Sequence, residues 1–193
     1  MRVNTETAPP DVALWRRQER ERLLAARQAL SPDYRQAQTA AITARLDELI
    51  GDDGLIVGCY WPIRAEPDLR SWMRERAAQG LRLALPVAVA HGEPLKYREW
   101  WPGASMAHGL WKIPYPADGA EVAPDLVLAP VVGFDPAGYR LGYGGGFFDR
   151  TLAAASPRPR AIGLGYPQSA LPTIHPQPHD IPMERIVTGD LGP

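Results

Sequence analysis

Sulfur chemistry is nearly absent from this chain. A single cysteine, Cys59, stands among 193 residues, which excludes an intramolecular disulfide framework and a cysteine-cage metal site. Surplus charge of one sign is lacking too. Lys and Arg number 21 against 22 Asp and Glu, a formal charge of -1, so no global field draws the molecule to nucleic acid or to an anionic membrane. No apolar run approaches the roughly 18 residues that a spanning helix needs. The opening residues, MRVNTETAPPDVA, lack the continuous apolar stretch of a signal peptide. These absences predict a cytoplasmic, reducing setting, and no obligate protein partner is evident from the sequence. What is abundant is 21 Pro, 18 Gly and 6 Trp: stiff turns, bare backbone, and more indole than a core of this size requires.

Length and hydropathy pattern give the organisation. A chain of this size fits one domain burying about 70% of its unfolded surface. Residues 1–10 are polar and proline-terminated, a flexible tail ahead of a domain over 11–193. A charged helix is expected over 12–30, then a second one opening at Ser31-Pro32-Asp33, a cap residue followed by proline at the first helical position. Ile42, Leu46, Leu49 and Ile50 mark one face of that second helix. The period then changes. LIVGCY at 55–60 reads as a strand covered on both faces, 68–79 as a helix ended by Gly80, and 81–87 as a second strand. Strand, helix, strand in so short a span predicts a parallel βαβ unit. DLVLAPVV at 125–132 is the strongest buried strand; LKYREWW, AIGLGY and RIVT are weaker candidates. The expected fold is α/β, a single three-layer domain with a mainly parallel sheet. The proline-rich stretch after Gly165 is expected to lie over the sheet's edge.

Chemistry concentrates in residues 125–150, DLVLAPVVGFDPAGYRLGYGGGFFDR. A buried strand runs out through a turn at Pro136-Ala137-Gly138 and presents RLGYGGG ahead of a helix beginning near Phe147. Such a bare loop brings consecutive N–H groups to an anion and hands it to a helix N-terminus. Arg140 and Arg150 flank it with guanidinium forks suited to phosphate. Neither GxxxxGK[ST] nor GxGxxG is present, and a flexible turn is the plain alternative; strand, helix and arginines together favour phosphate. Asp149 and Asp180 are carboxylates of the kind a magnesium ion combines with phosphate oxygens, although Asp149 also suits a helix first turn. Prolines 176, 178 and 182 argue against a rival transition-metal site built on His175, His179 and Asp180. Arg16 and Arg20 share a helix face, which in a helix also holding Arg17, Arg22 and Arg27 reads first as solvated; Glu66 follows the first strand where ligand-facing loops sit, and Trp111 suits either a ring platform or a core anchor.

GFDPAGYRLGYGGGFFDR resembles the signature of the 5-formyltetrahydrofolate cyclo-ligases, also called methenyltetrahydrofolate synthetases. The likeness runs over residues 14–188: a basic helix closing in ARQALS, a strand leading to a loop glutamate, WKIP, the Gly-rich loop, and HDIP before a last strand. The resemblance implies a NagB/RpiA/CoA-transferase-like fold and an ATP- and Mg2+-dependent reaction. That reaction converts 5-formyltetrahydrofolate to 5,10-methenyltetrahydrofolate, releasing ADP and phosphate. Matched by motif, it implies ATP binding by Arg16, Arg20, Arg140, Leu141, Gly142, Tyr143, Gly144, Gly145, Gly146, Phe147 and Phe148. It further implies a folate pocket at Glu66, Trp111 and Phe148, and magnesium at Asp149 and Asp180. Three positions depart from the family's habit: Arg16 where lysine is common, Leu69 where threonine is frequent, and Phe148 where tyrosine is usual. The lost hydroxyl leaves open an alternative, a paralogue that binds ATP and serves another acceptor or only stores ligand.

Overall fold

The computed structural model describes residue 9 and residues 11–51 and 54–189; most of the tail expected over 1–10 lies outside them. Helix α1 (Val12–Gln28) starts where the Asp11 carboxylate accepts from Leu14 N–H at 2.9 Å. Helix α2 (Pro32–Leu49) starts where the Ser31 hydroxyl accepts from Tyr34 N–H at 3.2 Å, with proline in the first turn. Each cap satisfies one of the donors that a helix start leaves orphaned. Ile42, Leu46 and Ile50 are buried along the expected face of α2.

The strands in chain order are β1 (Ile56–Gly58), β2 (Arg82–Val87), β3 (Lys96–Trp100), β4 (Met106–His108), β5 (Pro114–Pro116), β6 (Glu121–Val122), β7 (Leu126–Pro130), β8 (Gly133–Phe134), β9 (Arg140–Leu141), β10 (Arg160–Leu164) and β11 (Arg185–Val187). Two further helices, α3 (Arg70–Ala78) and α4 (Phe147–Ala154), follow β1 and β9. One seven-stranded sheet runs in the order β11-β10-β7-β1-β2-β3-β6. Its pairings from β11 to β2 are parallel, and β3 and β6 add an antiparallel end. The mainly parallel α/β sheet is thus as expected, and β1-α3-β2 is the anticipated βαβ unit.

Period-two alternation sorts the strand side chains into two covered faces. Val57, Leu83, Leu85, Leu126, Leu128, Ile162 and Leu164 meet Ile42 and Leu46 of α2 and Trp72 and Met73 of α3. The alternate residues Ala129 and Ala161 meet Leu152 of α4 and Met183. The indole N–H of Trp72 donates to Asp47 at 2.8 Å and ties α3 to α2.

The proline-rich stretch covers the sheet's edge only at its end, where Ile181 and Met183 pack with Ala129, Ala161 and Ile186. Leu171 and Ile174 pack with Leu23 of α1, Val132 and Leu141, and Phe134 bridges to Ala170. The stretch therefore docks on α1 and the β8–β9 hairpin, whose apolar residues need a cover that the sheet itself cannot supply. Gly133 allows the approach, since a Cβ there would lie 2.7 Å from Leu23 Cδ1.

This topology has a switch point. From β1 the chain moves toward β2, and from β7 it moves toward β10 on the opposite side, although β1 and β7 are neighbours. Loops leaving the two strands at their C-terminal ends diverge there, leaving the crevice in which open α/β sheets bind ligands.

Candidate active site

Two loops border that crevice. The one after β1 carries Arg64, Ala65 and Glu66, with Arg64 and Ala65 both in the left-handed region at φ 46° and 61°. Glu66 is 5% exposed. Its Oε2 accepts from Ile63 N–H at 2.8 Å, and its Oε1 accepts from the Tyr143 hydroxyl at 2.7 Å. Burial raises its pKa, and those two hydrogen bonds offset only part of the shift.

The second loop is Gly142 to Gly146, which follows β9. Gly144 and Gly146 sit at φ 93° and 62°, a region that side chains resist and glycine does not. Gly146 caps α4. Among the described residues, the main-chain N–H groups of Gly144, Gly145, Gly146 and Phe147 find no acceptor within the protein. Four consecutive unclaimed donors at a helix N-terminus make an anion cradle.

Arginines surround it. Arg20 donates from Nε to Gly142 C=O at 2.8 Å, and its guanidinium lies alongside Gly144. Burial, and then Arg16 beside it, lower its pKa: an anion arriving here would relieve both. Arg150 donates to Gly145 C=O. Arg16 is buried, donates to Ile174 C=O at 3.0 Å and His175 C=O at 2.9 Å, and pairs with Asp180. Arg140, with its side chain 4% exposed, pairs with Asp149 at 3.1 Å and donates to Ile181 C=O at 2.9 Å.

The two acids expected at a metal are thus each paired with a guanidinium. Asp149 Oδ1 accepts from Arg140 and from Ile181 N–H at 3.0 Å, and among the described residues its Oδ2 takes no hydrogen bond. Asp180 turns both oxygens toward Arg16, and Oδ2 also accepts from Gln177 N–H at 2.6 Å. Among the described residues no group of three His, Cys, Asp or Glu gathers to hold an ion. Asp149 Oδ2 is a carboxylate oxygen of the kind that a cation shared with phosphate would take.

The aromatic residues divide. Trp111 is 58% exposed and held at φ 55°; its ring meets Phe147 edge-on at 5.4 Å and His91 at 5.2 Å. Phe148 is not brought to that wall. Its ring packs between the clusters of Ala129, Leu152 and Met183 and of Ala84, Tyr97 and Val127, under the Arg140 guanidinium at 5.7 Å. Neighbouring helical residues diverge by about 100°, so Phe147 and Phe148 face different surroundings. Leu141 is buried below the loop.

Sequence reasoning missed Arg27. It is buried, donates to Arg64 C=O at 3.0 Å and Val131 C=O at 3.4 Å, and reaches the Tyr143 hydroxyl. Its register was the available signal: Arg27 lies three helical turns beyond Arg16, on the same face as Arg16 and Arg20.

Fold and site together define an α/β protein with a row of unclaimed main-chain donors beside its switch point and a buried carboxylate tied to the same loop through Tyr143. Known proteins agree. The model of the 5-formyltetrahydrofolate cyclo-ligase family matches residues 12–189, and the chain belongs to that family. A 5-formyltetrahydrofolate cyclo-ligase of Mycolicibacterium smegmatis is 31% identical over 181 residues, 90% of this chain and 93% of that protein. Its Escherichia coli counterpart is 28% identical over 139 residues, 68% of this chain and 76% of that one. The solved 5,10-methenyltetrahydrofolate synthetase of Aquifex aeolicus superposes with a TM-score of 0.78 at 26% identity, covering 90% of this chain and 89% of that one. The synthetase of Mycoplasma pneumoniae, at 20% identity and a TM-score of 0.74, covers 91% and 99% and shares the fold. The chain is therefore an enzyme, a ligase, and its family and relatives support 5-formyltetrahydrofolate cyclo-ligase activity. Among the described residues no helix is long and apolar enough to cross a membrane.

Proposed function

We propose that this enzyme uses ATP to close 5-formyltetrahydrofolate to 5,10-methenyltetrahydrofolate, releasing ADP and phosphate. The observation that carries this reading is the row of unclaimed N–H groups at 144–147, in a loop that Tyr143 ties to the buried Glu66. A formamide oxygen is a weak nucleophile and oxide a hopeless leaving group. Transfer of the γ-phosphoryl group to that oxygen makes the formyl carbon electrophilic and turns the oxygen into a leaving phosphate. Nitrogen 10 then attacks the carbon and gives up its proton to solvent, and the C–O bond breaks as phosphate departs.

The residues divide this work. The loop N–H groups and Arg20 hold the phosphates in line, supplying position and charge neutralisation, which are what phosphoryl transfer chiefly requires. Arg16 and Arg140 add charge from α1 and from the base of the loop. Magnesium would be held by Asp149, with Asp180 joining once Arg16 turns to the phosphates, and supplies neutralisation of the phosphate oxygens. Glu66 recognises the pterin's N–H edge. Phe147 and Trp111 wall the pocket and keep water from the activated carbon. Phe148 supports the loop from beneath.

The decisive assay is incubation with 5-formyltetrahydrofolate, ATP and magnesium. Near-ultraviolet absorbance of the methenyl product should rise, and no rise above an enzyme-free control in a protein that binds ATP would transfer the assignment to another acceptor. Arg20→Ala should raise the KM for ATP about ten-fold, the loss of one charged hydrogen bond, with the folate KM nearly unchanged at saturating ATP. Steady-state titration of each substrate checks it; an unchanged ATP KM removes Arg20 from the cradle. The aromatic division gives another test. Phe147→Ala should raise the folate KM about ten-fold by stripping one wall, whereas Phe148→Tyr should leave it within about two-fold. The reverse order in side-by-side kinetics would put Phe148 back in the pocket.

A further inference from the structure

Tyr143 is the one large side chain in a run otherwise made of glycine, and it does not belong to the phosphate cradle alone. Its hydroxyl donates to Glu66 at 2.7 Å and accepts from Arg27. Its ring lies beneath two guanidiniums, with Arg27 and Arg64 at 5.7 and 5.5 Å from the centroid. The contact crosses the switch point, from the loop after β9 to the loop after β1. It satisfies the oxygen of Glu66 that is not already held by Ile63 N–H. On the other side, Arg20 and Arg150 are occupied by the loop's own carbonyls, at Gly142 and Gly145. In this arrangement the loop holds its arginines and Tyr143 holds the carboxylate, so each subsite is closed by the other.

We propose that Tyr143 is a latch that couples the phosphate loop to the folate carboxylate, so that release for one substrate prepares the site for the other. The proposal rests on the reading of Glu66 as the pterin's partner and of the loop as the triphosphate's. A pterin that takes Glu66 Oε1 must displace the Tyr143 hydroxyl. The glycines then lose their main cross-crevice anchor and can close on phosphate, while Arg20 and Arg150 turn from the loop carbonyls to the anion. A triphosphate arriving first shifts the loop and draws Tyr143 from Glu66. Either ligand alone bears the whole cost of unlatching, and the second arrives at a site already open. That is positive coupling, reciprocal by linkage. Tyr143 is a positioning residue in this scheme, since it acts through Glu66 and the loop.

Calorimetric titration of the full chain with 5-formyltetrahydrofolate and with a non-hydrolysable ATP analogue plus magnesium, each alone and in the presence of the other, tests the latch. The parent should bind each ligand about ten-fold more tightly when the other is present, the order of one charged hydrogen bond. Tyr143→Phe keeps the ring and removes the hydroxyl. It should bind each ligand alone about ten-fold more tightly than the parent and show almost no mutual enhancement. Undiminished enhancement in Tyr143→Phe overturns the latch while leaving the proposed function standing. So does weaker binding of both single ligands, which would make the hydroxyl a supporting contact only. If the parent binds neither ligand, both the proposed function and the latch fall.

Discussion

Arg140→Ala is expected to abolish turnover and to lower the melting temperature by roughly 6–20 °C, from a loss of about 3–5 kcal/mol for breaking a buried ion pair at about 2–4 °C per kcal/mol. Arg140 leaves β9 at the base of the phosphate loop and is buried with Asp149 and Ile181 C=O as its partners. Burial lowers its pKa, and the Asp149 charge is the chief opposing influence. Truncation leaves Asp149, at the first turn of α4, without its counter-charge. It also frees the segment around Ile181, whose main chain both partners hold. Adding Asp149→Ala to Arg140→Ala should recover part of the lost stability and none of the activity. Calorimetric melting of the two single variants and the double variant forms a complete cycle. A single variant melting within about 2 °C of the parent would mean the pair contributes less than about 1 kcal/mol, and the account of the loop's foundation would fail.

Glu66→Gln should move stability and function in opposite directions. Function falls: the amide keeps the shape of the side chain but not its charge, and the pterin's N–H edge loses an ionised acceptor. Such a hydrogen bond is worth about 1.5–3 kcal/mol, a roughly 10- to 150-fold rise in the folate KM. Stability at neutral pH rises. The folded-state pKa of Glu66 is raised, chiefly by burial, so the folded state binds its proton more readily than the unfolded chain does. A group raised in this way favours folding fully below its unfolded pKa, and that contribution is lost as pH rises through the folded value. The parent should therefore lose stability relative to Glu66→Gln from mildly acidic to neutral pH, with the two converging in acid. Folate affinity follows the opposite course, improving as the carboxyl ionises at a pH above the usual carboxylate range. Chemical denaturation and folate titration of both proteins across pH 4 to 8 report the two trends. Parallel stability curves would mean that burial does not perturb this carboxyl, and an unchanged folate KM would remove it from the pocket.

How far the sequence leads can be judged from individual residues. The strongest local signals carried through: the Ser31-Pro32 start of α2, the βαβ unit between Leu55 and Val87, and the strand–loop–helix passage into Phe147. These depend on caps, on period and on glycine, which act within a few residues. The β4–β5 hairpin was not seen, because a three-residue strand ending on prolines has too little period to read. The docking of the proline-rich stretch on α1 depends on Leu23 and Gly133, far away in the chain. The site divides in the same way. Motif order located both loops. Nothing local says that Arg16 faces Asp180 or that Tyr143 crosses to Glu66: the first pair waits for the 175–180 segment to reach α1, the second for the sheet to set β7 beside β1. The opposite facing of Phe147 and Phe148 was available from helix geometry once a helix was expected at Phe147.

The sheet also carries a consequence for solution behaviour. Its two outermost strands are β11, of three residues, and β6, of two. Lys96 on β3 pairs with Glu121 on β6, and Arg185 opens β11. Long uncovered borders invite another chain to add its own backbone, which is how native sheets begin to polymerise. Here each margin ends within a few peptide units and bears charge, so the protein offers little template for cross-strand aggregation at high concentration.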